Sequence, residues 1–392
     1  MTDSFLIQRR RFLGAGLMAL AAPAIGKMGV QRRTTEELDA YIASEMRRAN
    51  IPGLALGLAR EGTVRFVQAY GYADIQRQRP ASTDTMFHIA SITKTVTATA
   101  VMQLVDDGRL KLDEPVSGYL DFPLENPHHP AVPITFRQLL MHTSSLSDAN
   151  YYAIDFRQQG RDATLPLASF LKDYLVPGGR TYSAETCFSK AAPGSAWDYS
   201  NVGYALLGYL ASRIGSQDMR EQTRERIFAP LRMRHTSWTI SGTPEPLRAI
   251  PYDDVDGALA PVEPVGFPDW SAGMLRSSIA DFTRFVAASA NGGIAERNRI
   301  VSARSMAQML EIKTPPELPD WLTGQGLGWM ASQLDAAAMP NHWGGDPGVF
   351  TAAYIDSASR AGVAIFTNAT ASAERRTAVK NIASRMLKSK AP

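Results

Sequence analysis

Apolar residues recur with strand-like spacing near both ends of the chain. Residues 54–59 and 64–70 are two such runs, and the segment between them contains the glycine of a hairpin turn, Gly62. Two further runs, 349–355 and 363–368, each follow turn-forming residues near the other end. Because the runs are short and bounded by turns, they predict strands from both ends of the chain that pair in one antiparallel sheet.

Helical spacing of apolar residues occurs at the start, in the centre and at the end of the chain. At the start, Thr34 or Thr35 is in position to cap a helix with Leu38 and Ile42 on its apolar face. Helices are also predicted at 95–105, 136–141, 202–214, 219–228, 279–290 and, last, 373–387. The pattern predicts an α+β fold. A sheet subdomain would take 34–85 and 265–392, and a helical insertion would take 86–264, as one catalytic unit.

Composition and charge exclude several classes of protein. Of the 392 residues 45% are hydrophobic and 20% are charged, as in ordinary globular proteins. The net charge is +3, from 41 Lys and Arg against 38 Asp and Glu, which is too small for a nucleic-acid surface. Cys187 is the only cysteine, so a disulfide and a cysteine zinc site are excluded. The six histidines lack the H-E-x-x-H spacing, and neither a metal nor another cofactor is expected.

The first 24 residues form a separate unit. Arginines 9–11 precede a short apolar stretch, 15–22, and residues 22–24 form an A-x-A cleavage pattern. This combination predicts a twin-arginine export signal at 1–24, although a basic, amphipathic N-terminus is an alternative. The stretch is shorter than the ~20 apolar residues that cross a bilayer. We expect a periplasmic or secreted protein with no stable membrane insertion after the signal is removed.

The pair Ser-x-x-Lys occurs twice, at Ser91 and Lys94 and at Ser169 and Lys172, so the motif alone identifies no site. Ser91 lies where an extended run meets the helix predicted at 95–105, near the positive end of a helix dipole. Residues i and i+3 share a helix face, so the Lys94 amine can reach the Ser91 hydroxyl. This is the arrangement of a nucleophile with a neighbouring base. Ser169 lies within an ordinary amphipathic segment.

Two more motifs carry candidate chemistry. Tyr199-Ser200-Asn201 is the only Tyr-x-Asn, and neighbouring cations can stabilise a phenolate that otherwise forms near about pH 10. A buried tyrosine with a satisfied hydroxyl is the alternative. His342, Gly344 and Gly345 belong to a strand whose glycines let a substrate lie against the backbone. The N–H groups of Gly345 and Ser91 could form an oxyanion hole. Alone, His342 is more often a structural histidine.

In this order, the three motifs resemble those of the penicillin-recognising serine hydrolases, the superfamily of class C β-lactamases, DD-peptidases and β-lactamase-like esterases. Two more segments support the resemblance: 142–146 is similar to the family's H-T-S-G-L, and 228–233 to its F-x-P-L-G-M. The similarity spans about residues 36–388. It implies a five-stranded antiparallel sheet flanked by helices, with a mostly helical subdomain.

The resemblance also implies roles for the motif residues. Ser91 would be the acylated nucleophile, and Lys94 would take or relay its proton. Tyr199 would act as general base and then as general acid. Asn201, His342, Gly344 and Gly345 would bind the substrate.

His342 stands where β-lactamases carry a lysine, and a mostly neutral histidine holds a carboxylate less well than a fixed cation. We therefore expect an esterase or peptidase-like amidase, acting on a small-molecule or peptide substrate. A β-lactamase or DD-peptidase is the first alternative. A slow penicillin- or peptide-binding sensor or scaffold is the second. Aromatic residues in the predicted loops, including Tyr151, Tyr152 and Phe267, suggest a bulky acyl group, unless they belong to the core.

Overall fold

The structure is a computed structural model that describes residues 25–389, so the predicted signal at 1–24 lies outside the described residues. The helices are α1 (Ile25–Arg48), α2 (Thr93–Asp106), α3 (Phe136–Leu140), α4 (Ala149–Ala153), α5 (Leu167–Leu175), α6 (Asn201–Gly215), α7 (Met219–Thr223), α8 (Trp270–Gly273), α9 (Ile279–Ala290), α10 (Ala303–Leu310) and α11 (Ala373–Lys388). Among the described residues, no helix is long and apolar enough to cross a membrane.

The strands fall into one large sheet and several short ladders. They are β1 (Gly53–Arg60), β2 (Thr63–Asp74), β3 (Arg79–Pro80), β4 (Met86–His88), β5 (Gln158–Gln159), β6 (Thr236–Ser237), β7 (Tyr252–Val255), β8 (Ala258–Pro261), β9 (Val265–Gly266), β10 (Arg276–Ser278), β11 (Ile294–Ala295), β12 (Asn298–Arg299), β13 (Gly324–Gln325), β14 (Met330–Leu334), β15 (Ala337–Asp346), β16 (Val349–Asp356) and β17 (Ala361–Thr367). The predicted α+β fold is confirmed.

The large sheet joins the two ends of the chain. Its order is β13-β14-β15-β16-β17-β1-β2-β3, and every neighbouring pair is antiparallel. In the central pair, Leu54 of β1 lies opposite Thr367 of β17 and Arg60 opposite Ala361. The expected number of five strands is too low, because between residues 25 and 389 the sheet has eight. The additional strands β3, β13 and β14 contain two, two and five residues, too few for a recognisable alternation.

Helices cover both faces of the sheet, which explains why β1 and β17 are apolar almost throughout. On one face, α1 and α11 enclose a cluster that includes Ile42, Leu56, Ile365 and Ile382, each fully buried. On the other face α9 packs on β1 and β17. A second cluster of buried apolar side chains extends from α9 into the helices of the central region.

Two predicted helices differ from the observed ones. The first helix begins at Ile25, before the threonines expected to cap it, so Thr34 and Thr35 lie within α1. A threonine within a helix lowers its stability by only about 0.5 kcal/mol relative to alanine, so these threonines do not end the helix. The helix predicted at 219–228 is α7 followed by a π-helical turn, Arg224–Phe228. The helix predicted at 279–290 is confirmed with the same bounds as α9.

Candidate active site

The turn that carries Ser91 is strained and held from two sides. Ser91 belongs to a 3₁₀ turn, Ala90–Ile92, directly before α2. Ala90 has a φ of +46°, in the left-handed region that residues other than glycine rarely adopt. The preceding Ile89 donates its N–H to the carbonyl of Leu275 at 3.0 Å, and its carbonyl accepts from the Thr351 hydroxyl at 2.9 Å. The fold therefore holds the Ser91 hydroxyl at the start of α2.

Lys94, the second residue of α2, is fully buried beside this hydroxyl. Its Nζ lies 3.2 Å from Ser91 Oγ, 2.8 Å from Asn201 Oδ1 and 2.8 Å from the carbonyl oxygen of Ala272. Burial lowers the pKa of Lys94 to about 7, although the Asp148 and Asp269 carboxylates partly oppose this. A neutral amine has two N–H groups and one lone pair. The two carbonyl oxygens can take the N–H groups, which leaves the lone pair for the Ser91 O–H.

Tyr199 completes the group around the nucleophile. Its phenol lies beside the Ser91 side chain, and its ring centroid lies 4.7 Å from Lys94 Nζ. The ring also stacks on His142, with 4.4 Å between the centroids. Burial raises the pKa of Tyr199 well above its usual value. Tyr199 is therefore a neutral phenol in the resting site, and Lys94 has the pKa better suited to a base.

Sequence reasoning missed Asp148, which holds the start of α6. Its carboxylate accepts hydrogen bonds from the N–H groups of Asn201 at 2.6 Å and Val202 at 3.1 Å, and from the Ser200 hydroxyl at 3.0 Å. A carboxylate is favourable at a helix N-terminus, where backbone N–H groups lack partners. Asp148 thus fixes the turn that carries Tyr199 and Asn201. Its only sequence signal was its place just after the segment 142–146.

The glycines of β15 let this strand approach the Ser91 turn. A Cβ at Gly344 would overlap the Ile89 carbonyl oxygen and the Thr351 hydroxyl, whereas one at Gly345 would have no neighbour within 4 Å. Gly344 is therefore required for packing, and Gly345 faces open space in the cleft.

His342 lies behind the surface of the cleft. The side chain is 1% exposed and is not among the residues that line the cleft. Its Nδ1 donates to the carbonyl of Trp343 at 2.8 Å, and burial lowers the pKa of His342 to about 3. The imidazole is therefore neutral, with a lone pair on Nε2. Where β-lactamases carry a lysine, this chain has no cation.

Ser91, Tyr199, Asn201, Gly344 and Gly345 line one cleft of about 1080 Å³. Aromatic side chains form much of its wall: Tyr151, Tyr152, Phe156, Trp197, Phe267, Trp321, Trp343 and Phe350. The second Ser-x-x-Lys pair lies elsewhere, in α5, where Lys172 pairs with Asp121 at 3.1 Å on the surface. The structure thus brings the three predicted motifs together and leaves the second pair outside the cleft.

Comparison with known proteins shows which family and which solved structures the chain is similar to. A family model described as Beta-lactamase matches residues 38–386. Esterase EstB of Burkholderia gladioli is 30% identical over 369 residues, which cover 84% of this chain and 89% of the esterase. The D-amino acid amidase of Ochrobactrum anthropi SV3 has a similar fold, with a TM-score of 0.70 and 24% identity over 90% of this chain and 98% of the amidase. A class C β-lactamase gives a TM-score of 0.70 and 19% identity over 93% and 98%.

Proposed function

The chain belongs to the β-lactamase family and is a serine hydrolase, and we propose that it cleaves an ester or amide bond through an acyl intermediate on Ser91. The observation that carries this proposal is the contact between Lys94 Nζ and Ser91 Oγ at 3.2 Å. The other two contacts of the amine are carbonyl oxygens, so its lone pair is left for the serine hydroxyl. The esterase EstB, which aligns along most of the chain, supports this class of reaction.

Acylation can be written with the residues present. Neutral Lys94 takes the proton of Ser91, and Oγ attacks the carbonyl carbon of the substrate. The N–H groups of Ser91 and Gly345 stabilise the negative charge that develops on the carbonyl oxygen. Tyr199 donates its phenol proton to the leaving group, and the Lys94 ammonium returns a proton to Tyr199. Water then attacks the acyl-enzyme, with Lys94 and Tyr199 again as the proton carriers.

Asn201 and His342 position these groups in the proposal. Asn201 holds Lys94 through Oδ1, while its Nδ2 donates to the Tyr152 hydroxyl at 3.0 Å at the wall of the cleft, where it can also donate to a bound substrate. His342 supports the cluster from behind as a neutral group. A β-lactam carboxylate therefore finds no fixed cation at position 342, which favours esters and amides as substrates.

A substrate panel tests this preference. We expect the purified enzyme to hydrolyse p-nitrophenyl esters or amino-acid p-nitroanilides much faster than nitrocefin, measured as kcat/KM in one buffer. Ser91→Ala should abolish turnover, and the matched change Ser169→Ala, in the other Ser-x-x-Lys pair, should leave it near the wild-type rate. Nitrocefin turnover as fast as that of the best ester would make a β-lactamase the better assignment.

Export is a separate part of the proposal and is supported by the sequence of residues 1–24 alone. In a bacterial host, the periplasmic form should begin at Ile25. Replacement of Arg10 and Arg11 by lysine should retain the protein in the cytoplasm, because the paired arginines are the recognised feature. The same replacement at Arg32 and Arg33, after the cleavage position, is the control. Unchanged export of the Arg10 and Arg11 variant would contradict the twin-arginine route.

A further inference from the structure

One carboxylate of the cleft lacks a partner within the described part of the chain. Asp346 ends β15, one residue after Gly345, and lines the cleft. Its Oδ2 is buried without a hydrogen bond, and its side chain keeps 15% of its surface exposed. A buried carboxylate oxygen that accepts no hydrogen bond is costly, so its retention beside an active site calls for a ligand that supplies the donor.

The nearest side chain supplies an acceptor rather than a donor. His88 Nδ1 lies 3.9 Å from Asp346 Oδ2. The same ring donates from Nε2 to the carbonyl of Gly273 at 2.7 Å, and burial lowers the pKa of His88 to about 3. A neutral imidazole that carries its proton on Nε2 has a lone pair on Nδ1. When Asp346 is ionised, two acceptors therefore face each other, and the described residues place no donor between them.

The charged groups around Asp346 have other partners. Arg157 is paired with Asp155 at 2.8 Å, and Arg276 donates to the carbonyls of Met274 and Val265. Asp269 is the neighbouring carboxylate and accepts from the Tyr151 hydroxyl at 3.1 Å.

Burial raises the pKa of Asp346 to about 7, against the opposing effect of Arg157 and Arg276. The two arginines lower this pKa but do not contact the carboxylate as ion pairs. At neutral pH the carboxyl group is thus only partly ionised, and a cation bound beside it would favour the ionised form.

The carboxylate is also well placed relative to the reaction. Alternate residues of a strand share a face, so 342, 344 and 346 point to one side of β15. Gly344 packs on Ile89 and Ala90, and Asp346 faces His88. The strand thus runs beside the segment that ends at Ser91. Asp346 directly follows Gly345, whose N–H is proposed to hold the acyl carbonyl, and both residues line the cleft.

We propose that Asp346, with His88 Nδ1 as a second acceptor, binds a protonated amine on the acyl part of the substrate, so that the enzyme prefers aminoacyl esters or amides. This inference rests on the proposed acyl-Ser91 hydrolase, since it specifies the acyl group. An ammonium has three donors and no acceptor, which complements two facing acceptors. Its charge also compensates a buried carboxylate, as a hydroxyl would not.

The test compares p-nitrophenyl esters with and without an amine on the acyl group. The phenylalanine ester, as each enantiomer, carries the amine, and the otherwise identical ester of 3-phenylpropionic acid lacks it. In the wild type, kcat/KM should favour one phenylalanine ester, and Asp346→Asn should lower this preference at least about tenfold, the scale of one hydrogen bond to a charged group. The control Asp256→Asn neutralises an exposed carboxylate in the β7–β8 turn and should keep the preference. Comparing variants cancels the different intrinsic reactivity of the esters.

A second measurement does not depend on the folding of the variant. With the wild type and 3-phenylpropionyl ester as substrate, phenethylamine should inhibit competitively at least about tenfold better than 2-phenylethanol. Equal inhibition, or an unchanged preference in a folded Asp346→Asn enzyme, overturns the inference. If the amine-free ester is hydrolysed in that case, the proposed function survives. If neither ester is hydrolysed and Ser91 takes no fluorophosphonate, the proposed function itself fails.

Discussion

Lys94 determines the chemistry of this site at the scale of single residues. It is fully buried, and its nearest carboxylates act at a distance rather than as contacting ion pairs. Taking an ammonium out of water favours the neutral amine, which is the form that can accept the proton of Ser91. Burial shifts the pKa of Tyr199 in the opposite direction, upward. Its phenol therefore stays neutral and can act as a proton donor. The two buried groups therefore have complementary roles as base and acid.

The pH dependence of activity should report Lys94. Its pKa is lowered to about 7, so the free enzyme gains the base form as pH rises through about 7, and kcat/KM for a neutral ester should rise over that range. Below it the ammonium has no lone pair to accept a proton. Lys94→Ala should lower the rate at least ~10²-fold, the usual contribution of general acid–base catalysis. A profile that is flat from pH 5 to 9, or unchanged by this substitution, would contradict the assignment.

Lys172→Ala is the matched control for this measurement. Lys172 belongs to the other Ser-x-x-Lys pair, and its side chain is 44% exposed, with the amine paired with Asp121. Its loss removes one surface ion pair, which contributes about 0–1 kcal/mol to stability. Both the pH profile and the rate should therefore stay close to those of the wild type.

At the scale of elements, the site depends on how closely β15 approaches the Ser91 turn. Gly344 and Gly345 are adjacent, yet the fold needs them for different reasons. At Gly344, the packing of β15 on the turn brings Ile89 and Thr351 so close that a Cβ would overlap them. Gly345 borders only the cleft. A side chain at one position disturbs the fold, and at the other it enters the space for the substrate.

Alanine at these two positions should separate stability from activity. Gly344→Ala forces a Cβ into the Ile89 carbonyl, so we expect a melting temperature several degrees lower, since overpacking costs about 1–3 kcal/mol. Gly345→Ala should melt close to the wild type but lose kcat/KM, because its methyl group enters the cleft. Thermal unfolding followed by circular dichroism, with ester hydrolysis on the same samples, makes the comparison. Equal melting temperatures for the two variants would show that the strand does not approach the turn so closely.

The elements that sequence could predict are those with a long repeat of apolar positions. The strands at both ends and helix α9 were recognisable because each buries a regular set of side chains. The edge strands β3 and β13 were not, since two residues carry no alternation. Nor did the spacing around position 342 show that His342 faces inward. Its burial depends on which face of β15 packs against the Ser91 turn, and that is set by tertiary contacts.

At the scale of the whole molecule, the catalytic residues come from distant parts of the chain. Ser91 directly precedes α2 and Lys94 lies in its first turn, Tyr199 directly precedes the start of α6 at Asn201, and Gly345 belongs to a sheet completed by both ends. The three motifs were recognisable individually, and their resemblance to one family suggested that they meet. Asp148, which holds two of these residues in place, stood in no motif and became visible only through its contacts. Sequence thus predicted the reacting groups better than the groups that position them.

The most direct test of the account is the identity of the acylated residue. The enzyme should be treated with a fluorophosphonate probe, and the adduct located by intact mass and peptide mapping, in the wild type and in Ser91→Ala and Ser169→Ala. Because Ser91 alone, among the serines of residues 25–389, has a buried amine of lowered pKa at its hydroxyl, we predict one adduct, on Ser91, that is absent from Ser91→Ala and retained in Ser169→Ala. An adduct on any other residue, or an active enzyme with none, would contradict it.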